Sequence, residues 1–89
     1  MRRVVWSPGA QEDLRAIRIY TAGFSTRAAA RLYMALGKAG ESLTEFPERG
    51  RPVKPGVREL TLVKPYVLRY AVVGSEVWVL SIRHAARRP

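Results

Sequence analysis

Apolar and polar positions follow two different rhythms along this chain. Up to Phe46 the apolar residues recur at helical spacings, and from Val57 onward they alternate. The opening run Arg2-Arg3-Val4-Val5-Trp6 is short and β-prone, and Ser7-Pro8 stops it. Ser7 can cap a helix whose first position is proline, because a proline there gives up an N–H that would have no partner anyway. Ala10, Leu14, Ile17 and Thr21 then fall on one helical face, with Glu12 and Asp13 expected in a first turn where the helix dipole favours anions. Gly23 predicts the stop. Ser25 or Thr26 starts a second helix that carries Ala29, Leu32, Leu36, Gly40 and Leu43 toward Pro47, so the two helices form an antiparallel hairpin. Gly37 and Gly40 each cost about 1 kcal/mol relative to alanine inside a helix, which predicts close packing against a neighbour at both positions.

Pro47, Gly50, Pro52, Pro55 and Gly56 break the helical pattern, and Glu48, Arg49, Arg51, Lys54 and Arg58 make this stretch a basic loop. Three strands are expected after it, Val57 to Val63, Tyr66 to Val73 and Glu76 to His84, with Lys64-Pro65 and Gly74-Ser75 as turns. Gly74-Ser75 suits a two-residue hairpin. If Val73 faces Glu76, then Tyr66, Leu68, Tyr70 and Val72 share a face with Val77, Val79, Ser81 and Arg83. The other face carries Val67, Arg69, Ala71, Trp78, Leu80, Ile82 and His84. Both faces are rather apolar, so one is expected against the helices and the other to be partly covered or to bind something. The resulting fold is α+β, a two-helix hairpin on an antiparallel β-sheet in the order β-α-α-β-β-β, in a single domain over residues 1–89.

Composition narrows the function. With 89 residues, 47% of them hydrophobic, the chain supports one two-layer core and no second domain. The absence of cysteine excludes disulfides, thiolate catalysis and Cys-ligated metals, and a single histidine argues against a His-based site, so no metal or cofactor is expected. No apolar run approaches the ~20 residues of a membrane span, and the chain reads as cytoplasmic. The net charge of +9 calls for an acidic partner, and it splits as +3 in residues 1–45 and +6 in residues 46–89. No Walker loop, paired-histidine motif or G-x-S-x-G elbow is present. What remains is a cationic set on and after the strands: Arg58, Arg69, Arg83, His84, Arg87 and Arg88, with Tyr66 and Tyr70 near them. Such a set could clamp phosphates, and a metal-free RNA-cleaving site would use His84 as its proton shuttle. Set against that, a lone histidine ending a strand is commonly structural, and arginines there are commonly solvated or ion-paired.

Several short motifs agree with one known family. Trp6-Ser7-Pro8 with Ala10 and Asp13-Leu14, Phe46-Pro47 with Gly50-Arg51, Val57-Arg58-Glu59-Leu60, Tyr66-Val67-Leu68-Arg69-Tyr70 and Ile82-Arg83-His84-Ala85-Ala86-Arg87 together resemble the RelE/ParE superfamily of bacterial toxins. The resemblance implies a type II toxin held inactive by a co-expressed antitoxin whose C-terminal segment wraps it. RelE-like members cleave messenger RNA in the ribosome, and the positions their nucleases typically fill with basic or proton-transferring groups read Val67 and Ala85 here. The ending His84-Ala85-Ala86-Arg87 is similar to the ParE-like branch, which poisons DNA gyrase. The resemblance therefore implies a gyrase-directed toxin with Arg58, Arg83, His84, Arg87 and Arg88 toward the target. The alternative is a RelE-like endoribonuclease acting on ribosome-bound mRNA through Arg69, Arg83 and His84, and a third class is a non-toxic nucleic-acid-binding or assembly protein. Phe24, Trp78 and Leu80 are the expected anchors for an acidic antitoxin.

Overall fold

The computed structural model describes residues 2–86. Strand β1 (Arg3–Trp6) leads into helix α1 (Pro8–Ala22), which is followed by helix α2 (Thr26–Glu41) and a 3-10 turn at Ser42–Thr44. Four strands follow: β2 (Arg51–Lys54), β3 (Val57–Leu60), β4 (Tyr66–Val73) and β5 (Glu76–His84). The Ser7 hydroxyl caps α1 by accepting from Ala10 N–H at 3.0 Å, and Ser25 does the same for α2 from Ala28 N–H at 3.1 Å. Glu12 and Asp13 fall beyond the first turn of α1, so the expected dipole role is absent. Glu12 pairs with Arg15, and Asp13 reaches across to the sheet.

The α+β expectation holds, with additions that arise from pairings between distant segments. The sheet has five strands in the order β1-β5-β4-β3-β2 and is mixed, because β1 runs parallel to β5 while the other pairs are antiparallel. The basic loop contains β2, which pairs with β3, and the strand expected to reach Val63 ends at Leu60. Gly56 and Gly74 take φ of +76° and +59° at the two hairpin turns, a conformation that suits glycine because it has no Cβ to clash.

One irregularity decides which side chains share a face. Val73 does face Glu76, and the expected register runs back to Tyr70 opposite Val79, but then Arg69 faces Ser81. Leu80 is the extra residue of a β-bulge, and past it every β5 side chain switches sides. Ile82 and His84 therefore join Val77 and Val79 on the helix side, whereas Ser81 and Arg83 join Arg69 on the open side. The expected faces are reversed for these four residues. The groups at the bulge are satisfied by α1 and its cap: Val79 O accepts from Ser7 N–H at 3.0 Å, Leu80 O from the Ser7 hydroxyl at 3.1 Å, and Asp13 Oδ2 accepts from Ile82 N–H at 2.9 Å.

The core lies between the hairpin and one sheet face. Ala10, Leu36, Ala39 and Leu43 meet Leu60, Leu68, Tyr70, Val77, Val79 and Ile82. Leu36 and Leu43 are fully buried, and each such side chain contributes about 1.5–3 kcal/mol. A Cβ at Gly40 would overlap the Trp6 indole, so close approach explains that glycine, while Gly37 has nothing within 4 Å and needs no such explanation.

Candidate functional site

With both helices on one face, the other face of the sheet carries, among the described residues, mainly its strand side chains. A lateral row crosses it, because the register places Arg51 of β2 beside Glu59 of β3, Glu59 beside Arg69 of β4, and Arg69 beside Ser81 of β5. The bulge then brings Arg83 in from β5. Arg69 donates from Nε at 3.0 Å and from Nη2 at 2.7 Å to Glu59 Oε2, and Arg83 Nη2 donates to the same oxygen at 3.1 Å. Arg51 approaches Oε1 at 3.7 Å as an ion pair. Glu59 is only 6% exposed, the one buried charged residue among those described. Burial by itself pushes its carboxyl up; the Arg69 hydrogen bonds and the Arg83 and Arg69 charges outweigh that and hold it below the usual carboxylate range. Three guanidiniums around one carboxylate leave two positive charges in excess.

Nothing in the sequence marks Glu59 as a centre, because it stands beside Arg58 in a strand of mixed polarity. The available signal was its place in Val57-Arg58-Glu59-Leu60, opposite a strand that carries Arg69.

His84 stands apart from the two arginines. It faces Tyr66 on the helix side, ring centroids 5.6 Å apart and edge to face, and its Nδ1 accepts from Ala86 N–H at 3.1 Å. Val67 is buried on the open face, and Ala85 is exposed with its N–H donated to Pro65 O at 2.8 Å. Arg58 is also on the helix-side face, opposite Tyr70, and donates to Glu48 O at 3.1 Å and Gly50 O at 2.7 Å. The fully buried Tyr70 hydroxyl accepts from Gly50 N–H at 2.9 Å and donates to Pro47 O at 2.8 Å. Burial raises the Tyr70 phenol above its ordinary value. Arg58 and Tyr70 thus hold the start of the basic loop against the sheet. Arg87 and Arg88 lie outside the described residues.

The three apolar candidates do not form one patch. Trp78 is half-buried on the open face, its indole N–H donated to Glu76 Oε1 at 3.0 Å, and Leu80 is partly exposed at the bulge. Phe24 is 77% exposed against Tyr20, at the far end of α1 from the Ser7 cap that touches Leu80. That helix is 15 residues long, about 22 Å. A larger concavity went unforeseen. A groove of about 1100 Å³ runs between β1 and the helical hairpin, with Val5, Trp6, Leu14, Tyr33 and Met34 among its apolar lining and Arg3, Arg15, Arg18 and Lys38 as its cations. Arg15 is bonded to Glu12, Arg3 to Glu76, and Arg18 lies over the Tyr33 ring at 5.4 Å. β1 is an edge strand, so its outer backbone groups have no strand partner. No helix among the described residues is long and apolar enough to cross a membrane, and no cluster there could hold a metal ion.

Comparison with known proteins agrees with this architecture. The chain is 49% identical over 87 residues to toxin RelE2 of Caulobacter vibrioides, covering 98% of this chain and 99% of that one. It is 40% identical over 84 residues to toxin RelE1 of the same organism, covering 91% and 90%. A structure from the chromosomal ParDE TA system from P. aeruginosa superposes with a TM-score of 0.83 at 26% identity, covering 94% of this chain and 96% of that one. The sequence model of the ParE toxin of type II toxin-antitoxin systems, parDE, matches residues 4–89, and on that match this chain belongs to the ParE toxin family.

Proposed function

We propose that this toxin acts on the DNA gyrase machinery by binding, without cleaving RNA, and that an acidic antitoxin segment neutralises it. The observation that carries this reading is the division of the nuclease candidates. Arg69 and Arg83 are bonded to Glu59 on the open face, while His84 is on the helix side with Nδ1 engaged by Ala86 N–H. A metal-free nuclease needs cations and a proton-transfer group converging on one phosphate, and each missing group typically costs 10²- to 10⁴-fold in rate. Val67 and Ala85 supply neither. For the antitoxin, the groove beside edge strand β1 offers apolar lining and four cations to one carboxylate, Glu41, which suits an extended acidic chain.

The second reading, mRNA cleavage on the ribosome, draws support from the RelE names of the Caulobacter relatives and from the proximity of Arg69 to Arg83. Two assays on the antitoxin-free toxin separate the readings. Inhibition of gyrase supercoiling, or DNA trapped in cleaved form on gyrase, with messenger RNA intact on translating ribosomes, is the expected result. Ribosome-dependent mRNA cuts that disappear in His84→Ala or Arg69→Lys overturn it.

A further inference from the structure

The guanidinium row on the open face has more donors than its carboxylate can use. A guanidinium carries five N–H groups. Arg69 spends two on Glu59, Arg83 spends one, and Arg51, at 3.7 Å, makes only an ion pair. None of the three is buried: their side chains are 32%, 28% and 77% exposed. Ser81 extends the row by a hydroxyl on the far side of Arg69. From β5 to β2 the row spans three strand spacings, about 14 Å.

We propose that Arg51, Arg69 and Arg83, the last two preassembled by Glu59, form a binding site for the phosphodiester backbone of DNA. Buried Glu59 keeps two guanidiniums in place before any ligand arrives, which lowers the ordering cost of binding. It also subtracts one charge and so limits the affinity. Planar, multiply donating arginines match phosphate oxygens better than lysines do. The open row of arginines fits a backbone, in contrast to the groove beside β1, whose apolar lining fits a peptide. This inference rests on the gyrase–DNA reading only for its choice of DNA.

The test is binding of a short labelled DNA duplex by the antitoxin-free toxin over a range of salt concentrations. Arg51→Gln removes the most exposed of the three cations and barely touches the fold. It should weaken binding severalfold and lower the slope of log affinity against log salt by about one. Arg27→Gln removes another exposed cation from α2, on the opposite layer, and should leave both nearly unchanged. Equal losses in Arg51→Gln and Arg27→Gln reveal diffuse charge alone and overturn the proposal. So does a glutamate-rich peptide that binds through Arg51 while the duplex does not bind. Gyrase inhibition by a toxin that does not bind the duplex removes the site and leaves the proposed function standing, whereas duplex binding without gyrase inhibition does the reverse.

Discussion

The two faces of the sheet are built from the same strands yet obey different physics. On the helix side, Tyr70, Val77 and Val79 are fully buried, and stability there comes from apolar area removed from water and from close packing. On the open side the central feature is a buried carboxylate held by three arginines, where desolvation opposes charge pairing and the net gain is smaller. One face holds the fold together, and the other gathers part-exposed arginines around one carboxylate. The Leu80 bulge joins the two, because it delivers Ile82 to the core and Arg83 to Glu59 in consecutive residues.

The largest break in this contrast is expected at Tyr70. Tyr70→Ala removes a fully buried ring and both loop hydrogen bonds, and should cost about 3–5 kcal/mol by urea unfolding. A loss under 1 kcal/mol would mean that the basic loop and the core relax independently. On the other face, Arg69→Ala leaves buried Glu59 with only Arg83 as a hydrogen-bonded partner. Breaking a fully buried pair costs about 3–5 kcal/mol, but Arg69 is one-third exposed, so about 2 kcal/mol is expected.

A smaller effect comes from acid. The folded-state pKa of Glu59 lies below its unfolded value, so its contribution to stability is present above the ordinary glutamate value of about 4.3 and is lost as pH falls through the folded value. Unfolding curves at neutral and acid pH should therefore show a steeper acid loss for the natural chain than for Glu59→Gln. Parallel losses would place the acid sensitivity elsewhere, for example at Glu76, whose carboxyl is lowered by Arg3. The helix layer supplies the finest test. Gly40→Ala should destabilise by about 1–3 kcal/mol through overlap with Trp6, and Gly37→Ala, with open space around it, should stabilise by about 0.5–1 kcal/mol. Equal melting temperatures for the two variants would contradict the packing described.

Much of the architecture was legible from neighbours along the chain. Ser7-Pro8 and Ser25 set the helix starts, the spacing of Leu32, Leu36 and Leu43 marked an inward face, and Gly74-Ser75 marked the last hairpin, because caps, turns and periodicity act within a few residues. The candidate site was legible only in part. Arg69 and Arg83 were singled out, but on opposite faces, and His84 was grouped with them although it lies across the sheet. Only the tertiary structure decided those positions, along with the parallel pairing of β1, the strand within the basic loop, and the difference between Gly37 and Gly40. The physical reason is that each depends on a partner far away in the chain. Asp13 holds the Ile82 N–H from 69 residues away, Trp6 fills the space at Gly40, and Glu59 gathers arginines from three other strands.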